Sequence, residues 1–342
     1  MSVTLIRLTF ILAFGLATQA MAFVQQPPKT PSPAPPTAPT TPPAAAQNPD
    51  KKKEIPPSES INIETKDRVS LKCEWYPGVN EKDTVPVILL HDWASNRSTS
   101  MVGLAAYLQK EVGCAVIVPD WRGHGESTQV VGAANRLDHN EFGNLEITSM
   151  GQDIETCKKF LMGKNNEGKL NINMLCVVAA HNMTPHALTW AVGDWSFPPL
   201  GGKRQGQDVK AVVLLSPIRK FKNFNITNVV RAPVLADGNQ PGITTCLIWD
   251  ARSTESDREA SAIEKMMLKT LGPQPNKGSD PVKYWTSRRL FSWPVESATT
   301  AEVGEELLAG QHSEGVKAAL IEFINKKFVE QKDEYTWEDR SN

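Results

Sequence analysis

From about residue 60 the chain alternates two kinds of apolar pattern. Unbroken apolar runs at 85–90, 115–119, 174–179, 209–215 and 243–249 have the length and β-branched content of strands buried on both faces. Between them, helical periodicity covers 101–112, 145–161, 184–192, 255–271 and 314–328. Residues 61–63 and 69–75 read as a hairpin, and a late strand is expected near 284–290. Buried strands alternating with amphipathic helices predict an α/β domain. Its core would be a mainly parallel central sheet of about eight strands, with helices on both faces.

The first 58 residues have a different grammar. Residues 1–22 carry Arg7, a short apolar run over 8–16 and a small-residue ending at Ala20-Met-Ala22, the layout of a secretory signal peptide. The run is short for a membrane span. The chain is therefore expected to be exported, periplasmic or secreted, with an uncleaved signal anchor or peripheral membrane association as the alternative. Residues 23–58 form a Pro-rich linker, since 12 of the 25 prolines fall within 26–58. The domain then spans 59–330, and 331–342 is a polar C-terminal tail expected to fray. Five cysteines, an odd number set mostly in strand-like runs, read as buried thiols rather than a disulfide framework. A net charge of −1 offers no basic surface for nucleic acid.

The chemistry-bearing loops come after three of the strands. After 174–179 the chain turns sharply through Ala180-His181-Asn182-Met183 into a helix opened by Thr184-Pro185. This is the layout of a nucleophile elbow, spelled G-x-S-x-G in serine hydrolases. Here the three fixed positions hold Ala179, His181 and Met183. After 85–90 comes His91-Asp92-Trp93, similar to a His-Gly turn that helps form an oxyanion hole. After 115–119 comes Asp120-Trp-Arg-Gly-His-Gly-Glu-Ser127, a close match to D-x-R-G-H-G-x-S. Together these loops make residues 60–328 resemble the α/β-hydrolase superfamily, in its bacterial dienelactone-hydrolase and esterase-like branch.

That resemblance implies a serine nucleophile, a histidine base, an orienting carboxylate and backbone N–H groups facing an oxyanion. Carried over by position, the nucleophile is His181. Asn182 and Trp93 would supply the oxyanion N–H groups, and the glycine normally found after His91 is Asp92. A carboxylate there opposes developing negative charge. The acid position holds Ser253, with Asp250, Glu255 or Asp257 as candidate replacements. The base position holds Val303, with His312 a few residues on. All three triad positions depart from the pattern. His91, Asp92 and His181 would be the one weak metal-ligand set at neighbouring strand ends. No cofactor or metal is otherwise expected.

Two readings fit this pattern. In the first, the protein keeps an α/β-hydrolase fold, has lost hydrolysis and binds a small ligand or a protein partner. In the second, it is a carboxylic-ester-type hydrolase with a rewired site, metal-assisted through His91, Asp92 and His181 or driven by a displaced acid and His312.

Overall fold

A computed structural model describes residues 54–341 apart from 98, 202–203 and 239–240. The signal peptide expected over 1–22, and all but the last residues of the linker expected over 23–58, lie outside the described residues. Eight strands form one continuous path through the central sheet: β1 Glu59–Glu64, β2 Val69–Tyr76, β3 Pro86–Leu90, β4 Ala115–Pro119, β5 Leu175–Ala180, β6 Val209–Leu215, β7 Thr244–Asp250 and β8 Leu290–Val295. Their spatial order is β1-β2-β4-β3-β5-β6-β7-β8. The β1–β2 hairpin is antiparallel and β2 meets β4 antiparallel; every later neighbour is parallel. A two-residue strand, Gln129–Val130, adds to β2.

Five long helices cover the sheet: α1 Thr99–Val112, α2 Gly151–Asn166, α3 Thr184–Asp194, α4 Thr254–Leu271 and α5 Ser313–Lys327. Side chains alternate across each strand, so one strand serves two cores. Ile88, Leu90, Val177 and Ala179 pack with Ile154, Leu188 and Ile263 of α2, α3 and α4. Val87, Leu89, Cys176 and Val178 pack with Leu104, Leu320 and Phe323 of α1 and α5. β3, β4 and β5, at the centre, are apolar and buried at every position because neither face meets water. All five cysteines are buried and free.

Three local expectations are corrected. The strand expected over 284–290 is instead a helix, Pro281–Ser287, with β8 after it. Asp280 caps that helix by accepting from the Lys283 N–H, with proline in its first turn. The helix expected over 145–161 is two helices, Asn144–Ser149 and α2, broken at Met150. The tail over 331–342 is not frayed across its described part. Three asparagine amides donate to its carbonyls: Asn165 to Glu338 (2.9 Å), Asn171 to Tyr335 (2.6 Å) and Asn173 to Thr336 (2.6 Å). The indole of Trp337 donates to the Leu170 carbonyl and lies under the Lys82 ammonium at 3.6 Å.

Candidate functional site

Parallel strands deliver their loops to one edge, so His91, Trp121, His181, Ser216 and Ser253 all come just after strand carboxyl ends. His181 stands directly after β5 at φ +34°, a left-handed conformation rare outside glycine, and one helical turn leads into α3. The chain thus makes the sharp strand-to-helix turn expected of an elbow, with an imidazole at its tip. Ala179 and Met183 on either side are fully buried in the core. His181 Nδ1 donates to the Ser216 carbonyl at 3.2 Å. Gly304, at φ +61°, brings its backbone so close that a Cβ there would lie 3.0 Å from the His181 Cβ. The loop that would carry a base therefore reaches the elbow through a glycine.

Asp92 fills the place where the resemblance expects an oxyanion hole. Asp92 Oδ1 accepts the N–H of Asn182 at 2.9 Å and the N–H of Trp93 at 2.7 Å. These are the two donors that the resemblance assigns to an oxyanion. The turn is self-stabilising, because Asp92 bonds the residue after it and Ser95 N–H returns to the Asp92 carbonyl at 3.1 Å. The Asp92 N–H donates in turn to Glu305 Oε1 at 2.9 Å, placing a second carboxylate behind the first. A substrate oxyanion would have to displace a resident anion from both N–H groups.

The other positions that the resemblance assigns to a triad have structural partners. Ser253 caps α4 by accepting from the Ser256 N–H at 3.3 Å. Asp250 ends β7 fully buried, and its carboxylate ties down the 297–302 loop. It accepts from the Ser297 hydroxyl, from Glu302 N–H at 2.8 Å, from Arg252 N–H at 2.9 Å and from Ser297 N–H at 3.3 Å. Burial pushes its pKa up, but these donors outweigh burial and hold it at about 2. Val303 uses its N–H on Glu306 Oε2, and His312 opens α5 with its N–H 3.5 Å from Glu302 Oε2. Among the described residues the His312 ring Nε2 is buried with no hydrogen-bond partner. Asp250 and His312, two of the candidate replacements, do not hydrogen-bond each other or His181 among the described residues.

His91 is fully buried. An amide N–H can only donate, so Nε2 accepts from Trp121 N–H at 3.1 Å and Nδ1 donates to the Asp92 carbonyl at 2.7 Å. Burial pushes its pKa down to about 3, so the ring is neutral. With both nitrogens engaged, His91 has no lone pair for a metal. Among the described residues no group of three His, Cys, Asp or Glu side chains is placed to hold one. Trp93 is partly buried, its ring 5.0 Å from that of His124 and 5.3 Å from that of Phe221. In the RGHG loop Arg122 is a clamp. Its guanidinium bonds Asp153 at 2.7 and 2.9 Å and Asp67 at 2.6 Å, and these carboxylates keep it charged despite burial.

A cleft of about 440 Å³ opens beside the elbow tip, lined by His181, Asn182, Arg219, Lys220, Glu255 and Glu259. Arg219 and Glu259 pair through two side-chain bonds of 2.6 and 2.9 Å, and the Arg219 guanidinium holds the Glu259 pKa at about 2. The sequence pattern does not single out this pair or Ser216. The available signal is Ser216-Pro217 directly after a buried strand, at the edge where ligands bind.

No family model matches the chain, and no curated protein matches it. Solved structures do. An esterase of Pyrococcus furiosus shares 16% identity over 80% of this chain and 93% of its own, with a TM-score of 0.52. Dienelactone hydrolase from Anabaena variabilis shares 16% over 79% and 97%, with a TM-score of 0.51. An arylesterase shares 11% over 81% and 87%, with a TM-score of 0.53. The chain has the α/β-hydrolase fold.

Proposed function

We propose that this chain is an exported α/β-hydrolase-fold protein that does not hydrolyse esters and acts by binding a small ligand or a protein partner. One observation carries the reading: Asp92 occupies both N–H groups that an ester hydrolase keeps open for the oxyanion. Losing one such donor costs a working serine hydrolase about 10²–10³ in rate, and here two are taken by an anion. The occupied acid and base positions point the same way, since Ser253 is a helix cap and Val303 carries no titratable group. The cleft beside His181 remains open and polar, suited to a ligand rather than a reaction. Export rests on the signal-peptide pattern over residues 1–22.

The mature chain should release p-nitrophenol from acetate, butyrate and octanoate esters at the uncatalysed rate, with or without added zinc. His181→Ser alone should leave that rate unchanged, because Asp92 still fills the hole. Turnover by the native chain that disappears in His181→Ala would establish a rewired enzyme instead. Turnover gained by His181→Ser would show that an acid and a base had survived.

A further inference from the structure

At the opposite edge of the sheet, where the parallel strands begin, lies a cavity of about 680 Å³ that shares no lining residue with the cleft at the elbow. Lys210 near the start of β6, Arg289 just before β8 and Lys327 at the end of α5 all line it. Lys327 is 5% exposed, and among the described residues its ammonium reaches only the carbonyls of Thr286 at 3.3 Å and Trp285 at 3.4 Å. Lys210 donates to the Gln207 carbonyl at 2.5 Å and lies 4.7 Å from the Trp195 ring centroid. Among the described residues neither ammonium has a carboxylate at ion-pair distance; Asp194 and Asp208, the acids near Lys210, are held by Lys158 and Arg340. The Arg289 guanidinium donates to the carbonyls of Val234 at 2.7 Å and Ile243 at 3.0 Å.

Buried charge is costly unless paired, and backbone carbonyls compensate an ammonium only partly. Burial pulls the pKa of both lysines down to about 8, with Arg289 adding to the effect on Lys327. An anion entering the cavity would complete what the fold leaves unfinished. The cavity wall also sets the ligand's body, because Trp195, Pro241 and Tyr335 present aromatic and apolar surface. Glu330, Asp333 and Glu334 also line it, Glu330 paired with Lys326 at 2.7 Å. Those acids disfavour a doubly charged ligand relative to a singly charged one. The volume falls in the range of small-molecule sites.

We propose that this cavity binds a small organic carboxylate, one anionic head on an aromatic or branched apolar body, with Lys210 and Lys327 meeting the head. The test uses the full chain, isothermal titration and quenching of tryptophan fluorescence, with 1-naphthoate and benzoate as probes. Saturable one-to-one binding of 1-naphthoate is expected, with 1-naphthamide and inorganic phosphate at least about tenfold weaker. Lys327→Met and Lys210→Met should each weaken 1-naphthoate binding by about tenfold or more. Unliganded Lys327→Met should melt no lower than the native chain, because it removes a buried charge without a carboxylate partner. The inference is overturned if neither arenecarboxylate binds saturably, if both variants bind undiminished, or if phosphate or the amide binds as tightly as 1-naphthoate. Were a lysine variant to unfold, the acid-against-amide comparison on the native chain would still decide. The ester assay reads the other edge of the sheet, so failure of either result leaves the other standing.

Discussion

Lys158→Met is expected to cost about 3–5 kcal/mol of folding stability, the range for stripping one partner from a buried ion cluster. The Lys158 ammonium lies 2.6 Å from Asp194 Oδ1, 3.7 Å from Asp208 Oδ2 and 3.4 Å from Glu155 Oε2. Asp194 closes α3 and Asp208 precedes β6, so the cluster fastens α2 and α3 to the start of a central strand. Both aspartates are essentially inaccessible to water. Burial works against the Lys158 charge, but the surrounding carboxylates outweigh it and raise its pKa. Without the lysine, the two desolvated carboxylates keep, among the described residues, only Arg340, which reaches Asp208 at 2.7 Å, and backbone donors to Asp194. The neighbouring Lys159 is exposed, and Lys159→Met should change stability by less than about 0.5 kcal/mol. Adding Asp194→Asn to Lys158→Met should recover part of the loss by removing one stranded charge. Urea unfolding midpoints at constant m-value measure all three. A Lys158→Met loss no larger than that of Lys159→Met would refute the cluster's role.

That cluster shows what sequence patterning misses. Its members are scattered along the chain, and each alone reads as an ordinary surface charge on a helix or loop. The strands are legible because burial on both faces leaves an unbroken apolar run. The elbow is legible because a strand, a turn and a Thr-Pro helix start succeed one another within a dozen residues. β8 is hidden because Pro294 and half-exposed positions interrupt its pattern, tolerable only because it is an edge strand. The aromatic Tyr284-Trp285 pair beside it mimics a strand while lying in a helix. The tail misleads for a related reason. It is polar, yet it is anchored by side-chain amides bonding to its backbone, a pairing no composition rule reports.

The site is legible in part for a chemical reason. A carboxylate at position 92 stands out in sequence because it opposes the charge an ester hydrolase must stabilise. What sequence cannot supply is its rotamer, which places a single oxygen on both N–H groups at once. Asp250 illustrates the converse. By position it is a plausible replacement acid, but its lone pairs are spent on the 297–302 loop. At the positions that the resemblance assigns to a triad, Ser253 serves as a helix cap and the Asp250 carboxylate as a loop anchor.

Acid should destabilise this fold through histidine, and His186→Leu should remove part of that sensitivity. His186 lies one turn into α3, 2% exposed, its ring centroid 3.9 Å from that of Phe224. Neither ring nitrogen meets hydrogen-bond geometry among the described residues. Burial pushes its pKa down to about 4, outweighing the opposing Ile147 carbonyl. An unfolded histidine titrates near about 6.5, so between those values the unfolded chain binds the proton and the native chain does not. Stability from this residue is complete above the unfolded pKa and is lost as pH falls toward about 4, for a total of about 3 kcal/mol. His91, neutral and held near 3, adds a loss of the same sign over a wider window, but its ring bonds Trp121 and cannot be replaced cleanly. Leucine is close to histidine in volume, so at about pH 7.5 the variant should lie within about 1.5 kcal/mol of the native chain. At about pH 4.5 the difference between the two should have moved by about 2–3 kcal/mol in the variant's favour. Carboxylates titrate in both proteins and cancel in the comparison. Parallel urea-unfolding stabilities across that range would mean His186 is protonated, or solvated, in the native fold.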